Sequence, residues 1–117
     1  MRVIIKKPGE KPKTIEVLNL SEINKLVGNV DEDGNGWNHG GSDIRMLIGP
    51  GIDQYCKDDA ISNVELGPNL WSYNDNAMYF GTVVFAGCDK NYDLCSLTDE
   101  QIQYCLRYIS EKEINIF

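Results

Sequence analysis

No apolar run in this chain approaches the ~20 consecutive residues that carry a helix across a bilayer. Met1-Arg2-Val3-Ile4-Ile5-Lys6-Lys7-Pro8, a short apolar stretch with charge on both sides and no small-residue cleavage site, does not read as a secretory leader. The expectation is a cytoplasmic protein, of a bacterium or of an infected host cell. Positive charge is scarce. Eleven Lys and Arg face eighteen Asp and Glu, leaving a net charge of −7. That balance repels a phosphate backbone at long range and disfavours generic nucleic-acid binding. The acids are scattered, with Asp31-Glu32-Asp33 the only tight group, so the sequence shows no carboxylate row of the kind a nucleic-acid decoy would display. Histidine occurs once, as His39. The cysteines Cys56, Cys88, Cys95 and Cys105 are irregularly spaced with no Cys-x-x-Cys pair, which argues against a zinc knuckle. Gly34-Asn35-Gly36 and Gly49-Pro50-Gly51 lack the lysine and the strand-to-helix turn of a phosphate loop.

What is present describes one α+β domain spanning 1–117. A chain of 117 residues with 42% hydrophobic and 25% charged content can build its own core. Arg2 to Lys7 and Lys13 to Leu18 read as strands joined through Pro8-Gly9-Glu10-Lys11-Pro12, an N-terminal hairpin. Ser21 to Gly28 reads as a short helix capped by Ser21, with Ile23, Leu26 and Val27 sharing a face and Gly28 stopping it. Asn29 to Ser42 reads as a loop, Asp43 to Ile48 as a strand. Ile61, Val64 and Leu66 suggest a further strand, Gly67-Pro68-Asn69 and Tyr73-Asn74-Asp75-Asn76 turns. Met78 to Phe85, aromatic and β-branched, reads as one buried strand. Thr98 to Glu113 reads as an amphipathic helix, with Ile102, Cys105, Leu106 and Ile109 on its buried stripe. The order fits an antiparallel sheet with the short helix and the C-terminal helix packed on it, on one face.

Asp31-Glu32-Asp33-Gly34-Asn35-Gly36 places oxygens at Asp31, Asp33 and Asn35 and a glycine at position six, as a calcium loop begins. Position twelve is Ser42 where a bidentate glutamate should close the shell, so the expectation is an ordinary exposed turn, with calcium or magnesium binding as the alternative. No cofactor is otherwise implied. Trp37, Trp71 and Tyr73 offer flat apolar faces, and His39 lies among glycines that let a ligand approach the backbone. These four residues are the candidate ligand or partner site, against the plainer reading of a loop histidine and of tryptophans lidding the core. A Cys–His enzyme built on His39 with Cys56 or Cys88 has no signature behind it. Cys88 and Cys95 flank a short loop that could bring them together, while Cys105 reads as core.

Three blocks resemble the uncharacterised family named domain of unknown function 3846, small proteins of phages and other mobile elements. They are Met1 to Glu10, Leu26-Val27-Gly28, and Tyr79 to Gly87 followed by Ser96 to Gln101. The segment from Asp31 to Ser42 looks inserted relative to that pattern, a loop insertion at about 29–42. Near Gly67-Pro68-Asn69-Leu70 the family's Asn-Arg pair is Asn-Leu. The resemblance implies a phage or mobile-element origin and carries no chemistry. The expectation is a non-catalytic binding protein that antagonises a host defence system by docking on a host protein. The alternatives are sequestration of a nucleotide-type ligand, a structural or self-assembling phage protein, and a cryptic Cys/His enzyme.

Overall fold

A computed structural model describes residues 1–27, 36–38, 44–48, 55–56, 67–71, 77–91 and 93–114. Strands β1 (Arg2–Lys6) and β2 (Lys13–Glu16) form the expected hairpin, followed by α1 (Leu20–Val27). Then come β3 (Gly36–Asn38), β4 (Ile44–Leu47), β5 (Tyr55–Cys56), β6 (Pro68–Trp71), β7 (Ala77–Phe80), β8 (Val83–Cys88), β9 (Leu94–Cys95) and α2 (Asp99–Lys112). The α+β class with antiparallel sheets, an N-terminal hairpin and a C-terminal helix is the observed one. One sheet has the order β2-β1-β8-β4-β3, with β9 also on β8; the other has the order β5-β7-β6. Among the described residues no helix is long and apolar enough to cross a membrane.

β8 is the hub of the larger sheet. Its register pairs Ile4 with Phe85 on one side and Met46 with Phe85 on the other. Beyond the end of β1, β9 takes over that lane, pairing Gly87 with Cys95 and Cys88 with Leu94. A methyl on Gly87 would lie 2.8 Å from the carbonyl oxygens of both Cys95 and Ser96, so this lane closes only over a glycine. Side chains alternate along a strand, and here both sets are covered. Ile4, Ile44, Met46, Val83 and Phe85 join a core cluster with Cys105, Tyr108 and Ile109 of α2 and with Leu70, Tyr79 and Phe80 of the smaller sheet. Val3, Ile5, Leu47, Val84 and Ala86 point the other way, into a second cluster with Val17 and with Ile23 and Val27 of α1. The helices therefore sit on opposite faces, not on one as the order of elements suggested. The consecutive apolar residues of β1 and β8 leave two faces to cover, and each face receives a helix.

Five further expectations are corrected. Met78 to Phe85 is not one strand: Gly81 at φ 79 ends β7, and the chain restarts as β8 in the other sheet. A positive φ of this kind is nearly free only for glycine. Gly67-Pro68-Asn69 is not a turn throughout, since Pro68 opens β6, an edge strand where its missing N–H leaves no ladder bond unmade. The span 29–42 is not a loop throughout, because Gly36–Asn38 pairs with Arg45–Leu47 as β3. The α1 cap is Asn19, not Ser21: its Oδ1 accepts from the Glu22 N–H at 3.2 Å, while the Glu22 carboxylate accepts from Leu18 N–H at 2.8 Å. Leu26 does not share the buried face of Ile23 and Val27; it is 37% exposed. The α2 start is as read. Thr98 and Gln101 exchange side-chain and backbone bonds in a complete capping box.

Candidate functional site

The hairpin and α1 together form an open cleft of about 220 Å³, lined by Ile5, Lys7, Glu10, Lys11, Lys13, Ile15 and Leu26. Its origin is topological. α1 anchors Ile23 and Val27 against Val3, Ile5, Val84 and Ala86, above the middle of the sheet. The outermost strand β2 lies at the sheet's edge, and its Ile15 is only half-buried. The floor is thus aliphatic, made of Ile5, Ile15 and Leu26. The rim comes from the hairpin turn and the start of β2, where Lys7, Lys11 and Lys13 bring three cations together and Glu10 one anion. Glu10 lies 4.0 Å from Lys13, an exposed pair that contributes little to stability. The Lys7 carbonyl accepts from both the Glu10 N–H at 3.1 Å and the Lys6 Nζ at 2.9 Å, which fixes the turn that carries the rim.

On the other face, beneath β6 and the end of α2, lies a buried polar knot. Lys6 is 1% exposed, and its ammonium also donates to Asn69 Oδ1 at 3.0 Å. Asn69, fully buried, donates its amide to the carbonyls of Lys6 at 2.8 Å and Gly81 at 2.7 Å. Its own backbone carbonyl accepts from Ile114 N–H at 3.0 Å, and Gly81 N–H donates to Gly67 O at 2.9 Å. Burial pushes the Lys6 pKa below its ordinary value, against the opposing pull of the Glu113 and Glu10 carboxylates. This arrangement joins the end of β1, the break between β7 and β8, and the chain after α2. An enclosed amine bonded to neutral acceptors is suited to holding those segments in register, and Asn69 reaches all of them, β1 and the β7–β8 break with its side chain and the chain after α2 with its backbone carbonyl.

The sequence-predicted site residues are placed as follows. Trp71 ends β6 half-buried, packs on the α2-side core, and accepts at its carbonyl from the Tyr108 hydroxyl at 3.4 Å. Tyr108 in turn meets Phe85 edge-on, with ring centroids 6.1 Å apart. The backbone of Trp37 lies in β3, opposite Met46, in the larger sheet, whereas Trp71 lies in the smaller one. His39, Tyr73 and the metal-loop residues Asp31, Asp33 and Asn35 fall outside the described residues. Among the described residues, no group of three or more His, Cys, Asp or Glu side chains is placed to hold a metal ion.

Cys88 and Cys95 are not paired, and the register gives the reason. Cys88 faces Leu94 and Cys95 faces Gly87, so the two thiols point to opposite sides of the sheet. Cys105 is fully buried, and desolvation pushes its thiol up to about 12, which keeps it protonated and unreactive. The cleft was not among the sequence-derived candidates. Its only signal was the density of lysine around the Pro-Gly turn in an otherwise acidic chain. No family model matches this chain, and no curated protein and no solved structure is significantly similar to it.

Proposed function

We propose that this chain is a small non-catalytic binding protein that docks on a host protein through the cleft between α1 and the hairpin, and so blocks it. One observation carries the reading. A partly exposed Leu26 lines one cleft with Ile5 and Ile15 and with Lys7, Lys11 and Lys13, in a chain of net charge −7. An apolar centre with a polar rim is the usual anatomy of a protein contact patch. A phage or mobile-element origin and action against a host defence system are proposed on the resemblance of Met1 to Glu10, Leu26-Val27-Gly28 and the C-terminal block alone.

The test is capture from host lysate with the wild-type protein beside Leu26→Asp, followed by mass spectrometry of bound proteins and small molecules. A host protein retained by the wild type and lost with Leu26→Asp is the expected result. Retention by both forms would move the docking face elsewhere. A nucleotide that raises the melting temperature, with no protein captured, would favour ligand sequestration instead. Loss of the biological effect in His39→Ala, Cys56→Ser or Cys88→Ser would overturn the non-catalytic reading.

A further inference from the structure

We infer that the occupant of the α1–hairpin cleft is an acidic protein segment, which sinks one large apolar side chain between Ile5, Ile15 and Leu26 and sets its carboxylates against Lys7, Lys11 and Lys13. The inference rests on the proposed binding function and names the chemistry of the partner.

Three features select this occupant. Charge comes first. Three of the chain's eleven basic residues meet at one small aliphatic floor, and the only acid among the lining residues, Glu10, is already engaged with Lys13 at 4.0 Å. Lys7 and Lys11 therefore present positive charge outward, and a basic partner would meet like charge at the rim. Size comes second. A volume of about 220 Å³ lies below the roughly 300–1,000 Å³ of pockets that enclose small ligands. It suits a single anchoring side chain, the usual centre of a protein contact. The third feature is the strand edge. β2 ends its sheet and, among the described strands, pairs only with β1. A segment that enters the cleft meets the flank of Lys13–Glu16 that no described strand pairs, as in recognition by strand addition. The turn is also fixed in advance by the two bonds to the Lys7 carbonyl, which lowers the ordering cost on binding.

Fluorescence anisotropy with three labelled peptides of equal length tests this. In one, glutamates flank a Leu-Phe pair; in the second, glutamates flank Gly-Gly; in the third, lysines flank Leu-Phe. The wild-type protein should bind only the first. Leu26→Asp, and separately Lys11→Glu, should weaken that binding by about tenfold or more. The triple variant Lys7→Glu, Lys11→Glu, Lys13→Glu should transfer preference to the lysine-flanked peptide. All these positions are exposed, and circular dichroism confirms that each variant is folded.

Failure of the first peptide to bind, or binding unchanged in Leu26→Asp, overturns the inference. Preference of the wild type for the lysine-flanked peptide overturns the acidic occupant and leaves the binding function standing. If no peptide binds but the lysate partner is still lost with Leu26→Asp, the occupant chemistry alone falls. Binding of ATP or inorganic phosphate that weakens in these variants, with no peptide bound, replaces the protein occupant with a small anion. In that case the inference and the proposed docking function fall together.

Discussion

The two faces of the larger sheet are covered unequally. Against α2 and the smaller sheet, the described core gathers fifteen buried residues, among them Phe85, Tyr79, Phe80 and Tyr108. Against α1 it gathers eight, all aliphatic, with no aromatic ring. α2 spans fourteen residues with a full capping box, while α1 spans eight. Among the described residues the exposed large aliphatics, Leu18, Leu20 and Leu26, all lie in α1 or the segment leading into it, and Leu18 is 81% exposed. The difference separates two jobs. One face holds the fold together; the other is thin enough to leave an open apolar cleft, the surface on which the proposed docking depends.

The sharpest way to break this comparison is to truncate one large side chain on each face. Phe85→Ala should destabilise by about 3–5 kcal/mol in urea unfolding, with Ile23→Ala on the thinner face at about 2–3. A larger loss for Ile23→Ala would invert the ranking of the two faces. Next is the polar knot. Asn69→Ala strands the carbonyls of Lys6 and Gly81 and removes an acceptor from a buried ammonium, so a loss of about 2–4 kcal/mol is expected.

The same knot sets a pH dependence. Lys6 has its pKa lowered on folding, so between the folded value and its ordinary 10.5 the unfolded chain binds more protons. The penalty from this group is fully present below the folded pKa and is relieved as pH rises through it. Unfolding free energy measured across the alkaline range should therefore contain a rising contribution that Lys6→Met abolishes; an identical pH slope in the variant would refute it. Gly81→Ala forces a methyl into φ 79 and should destabilise by about 1–2 kcal/mol. Smallest in stability is Leu26→Ala, expected within about 0.5 kcal/mol of wild type while weakening partner capture. A large stability loss there would mean that Leu26 belongs to the core and not to the cleft.

Much of this molecule could be read from residues alone, and the failures have specific causes. The hairpin and α2 carry strong local signals: a Pro-Gly turn, a Thr-x-x-Gln cap, and apolar residues at helical spacing. The break at Gly81 was hidden because aromatic and β-branched residues flank it on both sides, and periodicity does not say when a chain changes sheets. Pro68 resembled a turn because its edge position is a tertiary fact. Asn19-Leu20-Ser21-Glu22 held a readable cap, overshadowed by Ser21 two residues on. The cleft was the least legible feature. Lys7, Lys11 and Lys13 are near in sequence, but Leu26 reaches them only through the docking of α1. Trp71, singled out as a ligand surface, is spent in part on the packing of β6 against α2.

The pairing of β1 with β8 joins residue 4 to residue 85. During synthesis Val3, Ile4 and Ile5 emerge long before Val83 to Phe85, and the flank of β1 opposite β2 waits with its hydrogen bonds unmade. Such distant pairings close slowly and leave sticky intermediates exposed to neighbouring chains. Lys6, Lys7, Lys11 and Lys13 surround that waiting hairpin, and charge on an open strand deters association with another chain. Lys7, Lys11 and Lys13, which line the cleft in the finished protein, thus also set charge around the hairpin while the nascent chain is still incomplete.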